Sequence, residues 1–212
     1  MTSNHHLDIE LTTRCRLSCT KCIRTKLNAE GELKIFDFPV DQFKRICESK
    51  IYRSMFFGGT YGDCIYHPNF PELVKIAKSN GILIVIHTNG SGKSLDWWKS
   101  IFMLMDKNDC INIAMDGFKE TAGIYRVNFT EKDFYKNIEI FKLAKIRGIR
   151  REWTYIPMRF NEHQIEDARK LAKEIDVRFI IKKSERWYNT KDPMLPRDKN
   201  LIATHARNRL KI

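Results

Sequence analysis

No stretch of this chain is long and apolar enough to cross a bilayer. Its longest purely aliphatic run is Ile82-Leu83-Ile84-Val85-Ile86, against the roughly 18–20 residues that a spanning helix needs. The opening segment Met1-Thr2-Ser3-Asn4-His5-His6 lacks the basic-then-apolar order of a secretory signal, so a cytoplasmic location without a membrane partner is expected. Glycine and proline are sparse, 10 and 6 in 212 residues, which excludes fibrous and low-complexity architectures. Acidic residues are in the minority, 26 against 38 Lys and Arg, for a formal net charge of +12. Half of that excess lies in residues 182–212, where nine basic residues meet three acidic ones, Glu185, Asp192 and Asp198. Such a surface either suits an acidic partner (nucleic acid, an acidic electron-transfer protein or an anionic substrate) or forms a solvated basic tail. The 42% hydrophobic content fits one globular domain. A closed eight-unit β/α barrel typically takes about 250 residues, so a partial barrel or an open α/β sheet is the expected architecture.

Cysteine is absent beyond Cys110, and the six present fall at 15, 19, 22, 47, 64 and 110. An intracellular chain keeps its thiols reduced, which argues against a disulfide framework. Three are scattered singly in stretches that read as helix, loop and loop. The other three crowd into Cys15-Arg16-Leu17-Ser18-Cys19-Thr20-Lys21-Cys22, on a loop that can curl its side chains toward one metal centre. Structural zinc takes four ligands, commonly from paired Cys-x2-Cys arms, and no second pair follows. A [4Fe–4S] cluster also takes four thiolates as a rule, so three leave one iron open to a small molecule. An open iron makes for a catalytic rather than a structural centre.

Hydrophobic periodicity supplies the frame. His6-Leu7-Asp8-Ile9-Glu10-Leu11-Thr12 alternates polar and apolar residues, as a strand feeding the cysteine loop does. A helix is expected after Pro39, with Phe43, Ile46 and Cys47 on one face. Met55-Phe56-Phe57 is a short strand stopped by Gly58-Gly59, and a helix over 71–79 leads to a buried strand over 82–86 that ends at His87-Thr88-Asn89-Gly90. A helix over 95–105 precedes Cys110-Ile111-Asn112-Ile113-Ala114-Met115-Asp116-Gly117. A helix over 133–147, a strand over 151–158, a helix over 162–174 and a strand over 177–182 complete the pattern. Six strands alternating with five helices predict parallel β/α units, a sheet in sequence order and ligands beyond the carboxyl ends of the strands. In the tail, Trp187-Tyr188 reads as a packed pair or as a surface that stacks on a base, and residues 201–212 as a short basic helix.

Four local patterns now align: Cys-x3-Cys-x2-Cys after a first strand, Gly58-Gly59 after a second, Thr88-Asn89-Gly90 after a third, and Asp116-Gly117 followed by Tyr125-Arg126. Together, over about residues 1–182, they resemble the radical S-adenosylmethionine (radical SAM) superfamily, and most of all its peptide-modifying branch. The resemblance implies an α/β fold, a partial six-unit (β/α)6 barrel over 1–182, followed by a basic C-terminal tail over 183–212. It implies that Cys15, Cys19 and Cys22 ligate a [4Fe–4S] cluster whose fourth iron is chelated by S-adenosylmethionine (SAM). Gly58 and Gly59 would let the backbone approach the methionine amino group. Thr60 stands where the family usually has an acid, with Asp63 as the candidate substitute. Asn89 would offer a polar contact, and Asp116 and Arg126 would complete the cofactor site, the guanidinium pairing with the SAM carboxylate. Ala114 replaces a serine that contacts SAM in relatives, and Lys21 replaces a common aromatic residue. The absence of later cysteines implies a single cluster and no auxiliary-cluster domain.

The implied chemistry is reductive cleavage of SAM to methionine and a 5′-deoxyadenosyl radical, which abstracts hydrogen from a peptide, protein or nucleotide substrate. The electron would come from a flavodoxin or ferredoxin, acidic proteins that suit a basic surface. Two other classes remain open at this level: a zinc-containing basic nucleic-acid-binding module, and a radical SAM fold kept as a scaffold without catalysis. His87 reads as an acid–base group or as a packed, hydrogen-bonded histidine.

Overall fold

The polar–apolar alternation at the start of the chain builds an edge strand, and every later strand adds to one side of it. In the computed structural model, which describes residues 5–212, β1 (His5–Glu10), β2 (Tyr52–Gly58), β3 (Leu83–Thr88), β4 (Cys110–Ala114), β5 (Arg150–Tyr155) and β6 (Arg178–Ile181) form one sheet. Residues 1–4, part of the segment tested above for a signal, lie outside the described residues. All neighbouring strands are parallel and lie in the order β1-β2-β3-β4-β5-β6. This is the six-unit partial barrel expected, and its two edges, β1 and β6, are not paired to each other.

After the cysteine loop comes α1 (Ile23–Ala29), then the crossover helices α2 (Val40–Glu48), α3 (Phe70–Ser79) and α4 (Leu95–Leu104). A single turn, α5 (Ala122–Tyr125), precedes the crossovers α6 (Glu131–Ile146) and α7 (Ile165–Glu174), and α8 (Thr204–Leu210) lies in the tail. α6 starts where it does because Thr130 and Asp133 form a reciprocal capping box, satisfying two otherwise orphaned amides. Helix α1 and turn α5 were not expected; α1 buries none of its residues and so carries no apolar stripe to read. Cys110, expected in a loop, opens β4, held there by parallel pairing with Val85 and Arg150 on either side.

Helices and sheet enclose a continuous core that includes Phe43, Phe57, Phe70, Trp98, Phe134 and Trp153, all buried. The inner side of the sheet is polar: Thr154 donates to Asn112 at 2.8 Å, Asn112 to Glu152 at 3.1 Å, and Arg178 pairs with Glu152 at 3.1 Å. A second apolar cluster joins the tail to the barrel, with Trp187, Leu195, Ile202 and Ala206 packed on Tyr125 and Met158. Trp187 is therefore a packed side chain. Tyr188 is 76% exposed, with the Arg209 guanidinium 4.3 Å above its ring.

Candidate functional site

Ends of β1 to β6 and the loops that leave them surround a cavity of about 790 Å³. Cys15, Cys19, Cys22, Gly58, Gly59, Asp63, Asn89 and Arg126 all contribute to its wall. Asp116 does not; it stands behind Arg126. Sequence positions more than 100 residues apart meet here because all parallel strands deliver their carboxyl ends to one rim.

The cysteine loop is fastened to the chain around Arg126. Ser18 donates its amide to the Val127 carbonyl and Thr20 to the Tyr125 carbonyl, each at 3.1 Å. That pairing lays the guanidinium beside Cys19, whose thiol feels its charge. The three cysteines are free and half-buried. Burial, reinforced by the charge of Asp63, pushes the Cys15 thiol up to about 12. Burial also raises Cys19, against the pull of Arg126. Thiols in this state hold their protons, so loading a metal centre must displace them. Among the described residues no three His, Cys, Asp or Glu side chains close on a point where they could hold one metal ion. Three thiols on one cavity wall are the donor set that a [4Fe–4S] cluster with one open iron takes.

Asp116 and Arg126 form a buried ion pair, with Nε and Nη2 of the guanidinium 2.8 and 2.7 Å from Oδ2. The other carboxylate oxygen accepts the Ile156 amide at 2.7 Å. Burial pushes Asp116 up, opposed by Arg126; for the arginine, burial is outweighed by the neighbouring negative groups, and its charge is held firmly. Asp116 is thus a positioning residue that fixes Arg126 in the cavity wall.

Asp63 turns away from its loop into the interior. It accepts from Thr88 Oγ1 at 3.0 Å, from the Asn89 amide at 2.8 Å and from the Ile65 amide at 3.4 Å, and burial raises its pKa. Asn89 is equally committed: its Nδ2 reaches Asp63 and lies 3.6 Å from Cys15 Sγ, and its Oδ1 accepts from Ser91. Gly90 follows with φ +71°, and a Cβ there would collide with the Asn137 side chain at 2.2 Å. Asn137 needs that space to donate to the Asn89 carbonyl at 2.9 Å. Asp63 and Asn89 therefore lock the third rim segment behind Cys15.

Ala114 lines the cavity and offers no hydroxyl. His87 lines it too, packed on Phe56 with ring centroids 5.5 Å apart. Burial, then the charges of Lys182 and Arg126, lower its pKa to about 4, so it is neutral at neutral pH. Lys21 pairs with Asp192 of the tail, and Arg186 donates to the Tyr125 hydroxyl at 2.8 Å. The tail residues Lys182 to Arg186 form part of the cavity wall, a contribution that the sequence reading missed. It also missed Glu10, although its alternation with Ile9 and Leu11 placed it on the polar face of β1.

The Radical SAM superfamily model matches residues 9–175. Over 89 residues, 41% of this chain, the sequence is 32% identical to a tungsten-containing aldehyde ferredoxin oxidoreductase cofactor-modifying protein of Pyrococcus furiosus, covering 24% of that protein. The fold is similar to that of Streptococcus suis SuiB bound to precursor peptide SuiA, with a TM-score of 0.63 at 14% identity, over 84% of this chain and 39% of SuiB. It is similar as well to anSMEcpe with bound AdoMet, with a TM-score of 0.62 at 18% identity, over 90% of this chain and 56% of that one. The chain spans less than two thirds of the length of each of these relatives.

Proposed function

The chain belongs to the radical SAM superfamily, and from that premise we propose that it is an iron–sulfur enzyme that uses SAM to start radical chemistry on a peptide or protein. The observation that carries this reading is the single cavity shared by Cys15, Cys19, Cys22, Gly58, Gly59 and Arg126 at the carboxyl rim. Cys15, Cys19 and Cys22 would hold three irons of a [4Fe–4S] cluster, leaving the fourth to SAM. When bound, the cluster supplies the electron that cleaves SAM reductively and yields the 5′-deoxyadenosyl radical. Arg126 would orient the SAM carboxylate: Asp116 occupies its Nε and Nη2, and Nη1 has no protein acceptor among the described residues. Asn89 would keep the wall behind Cys15 in place. Neutral His87 and Phe56 would help keep bulk water off the reacting groups.

The peptide substrate class is supported by the shared fold with SuiB, whose structure holds a precursor peptide. We place the electron source among acidic flavodoxins or ferredoxins, suited to the +12 chain. Among the described residues no helix is long and apolar enough to cross a membrane, and reduced thiols favour the cytoplasm. Residues 1–182 would act as the core and 183–212 as a tail that walls the cavity.

The test is the electron paramagnetic resonance spectrum of the anaerobically reconstituted, reduced protein with and without SAM. A [4Fe–4S]⁺ signal that shifts on adding SAM is expected. A cluster signal indifferent to SAM would leave only a scaffold, and zinc without iron would remove the mechanism.

A further inference from the structure

Most of the positive charge on the cavity wall is already spent on the protein itself. Arg126 is held by Asp116, Arg186 donates to the Tyr125 hydroxyl at 2.8 Å, and Arg24 donates to the Thr13 carbonyl at 2.8 Å. Lys182, directly after β6, is different. Its amide donates to the Tyr155 carbonyl at 2.8 Å, which extends the β5–β6 ladder by one residue and fixes its backbone. Strand alternation gives it the face of Ile180, and Ile180 stands opposite Thr154, a residue that lines the cavity as Lys182 does. Its ammonium has neither an acid nor a hydrogen-bond acceptor among the described residues.

His87 faces the same interior from β3. It stands opposite Asn112 in the register, and Asn112 accepts from Thr154. Neither ring nitrogen has a partner among the described residues. Burial and the charge of Lys182 keep the ring neutral, so it offers one N–H donor. Arg126, the next charge to act on the ring, is fixed beside Cys19 by Asp116. The cavity thus holds an ammonium and an imidazole N–H that the protein leaves unused, and together they match the two oxygens of a carboxylate. We propose that Lys182 and His87 form a substrate subsite for a carboxylate, so that the peptide or protein acted on presents an aspartate or glutamate side chain to the cavity. That a peptide enters this cavity rests on the function proposed above; the carboxylate class rests on the placement of these two side chains.

The experiment compares two probes, N-acetylglutamate N-methylamide and N-acetylglutamine N-methylamide, which share a shape and differ in charge. Their affinities are measured by ligand-observed NMR on the cluster-loaded, anaerobic protein saturated with S-adenosylhomocysteine, so that Arg126 is already occupied. The wild type should bind the glutamate probe at least about tenfold more tightly than the glutamine probe. Lys182→Gln should bring the two within about twofold, Lys182→Arg should keep the preference, and His87→Leu should cut it by about threefold or more. Lys199→Gln removes the same charge from a part of the tail outside the cavity wall and should leave the preference as it is. A wild type that binds S-adenosylhomocysteine yet prefers neither probe would overturn the subsite. So would a preference that survives Lys182→Gln, or one that falls equally in Lys199→Gln. A wild type that fails to bind S-adenosylhomocysteine would instead overturn the underlying reading of the cavity.

Discussion

Strand β4 has a buried carboxylate just beyond each end, and the two sit in contrasting surroundings. At the amino end, Asp109 accepts the amides of Ile84 and Asp106, at 2.9 and 2.8 Å, and pairs with Lys78 at 2.8 Å. Lys78 also holds Asp106. Burial works against the Lys78 charge, but these two partners raise its pKa. Asp109 and Lys78, the buried members of this cluster, are spent on other parts of the protein. At the carboxyl end, Asp116 accepts the Ile156 amide and pairs with Arg126 in the same manner, but the arginine also forms part of a cavity wall. One arrangement joins strand to helix and is complete. The other leaves a fixed guanidinium donor facing open space, as a binding site requires.

Substitutions can break this contrast. The largest effect is expected from Asp109→Ala, which strips Lys78 of a buried partner and orphans two amides, costing about 3–5 kcal/mol. Urea unfolding should show that loss, while the folded fraction keeps its response to SAM. If the response disappears with the folded fraction intact, the two ends are not separable. Arg126→Met should cost no more than this, about 3 kcal/mol, because Asp116 loses its buried partner but keeps the Ile156 amide. Its signature is functional: the cluster signal stays and its shift on adding SAM is lost.

A pH titration sharpens the same comparison. The His87 imidazole has a folded pKa of about 4 against an ordinary 6.5. Between those values the unfolded chain takes up a proton that the folded chain does not. Stability should therefore be complete above pH 6.5 and fall as pH drops toward 4, by at most about 1.4 kcal/mol per pH unit. His87→Gln should flatten that slope in denaturation measured at pH 7 and pH 4.5; an unchanged slope would assign it to other groups. The smallest effect is expected from Ala114→Ser, which places a hydroxyl on the cavity wall. It should tighten S-adenosylhomocysteine by about 0.5–1.5 kcal/mol at most without moving the unfolding midpoint.

Much of this architecture is legible in the chain. Ile82 to Ile86 read as a strand at that length between Gly81 and Asn89-Gly90, though Leu83 is exposed and only the alternate residues Ile84 and Ile86 are fully buried, and the six-unit order followed from strand–helix alternation. The cysteine spacing and Arg126 announced the rim on which they meet. What could not be read was the direction of side chains set by distant partners. Asp63 looked like the acid of the loop after β2, yet its oxygens are claimed by Thr88 and Asn89, about 25 residues away. Glu10 reaches the same loop from 50 residues away, a contact that no local pattern encodes. The nine cations of the tail left it open between a solvated segment and a partner-binding one; its burial depends on Trp187, Leu195 and Ile202 finding Tyr125 and Met158.

That tail also sets an order of events during folding. Strands that pair in chain order close only short loops, each at modest entropic cost, whereas the pairing of Lys21 with Asp192 closes one of 171 residues. The sheet can therefore assemble, hiding Cys47, Cys64 and Cys110, before the tail closes over the loop of Cys15, Cys19 and Cys22. Refolding in the presence of an oxidant should trap that stage, with a disulfide between two of Cys15, Cys19 and Cys22 and the inner three thiols spared.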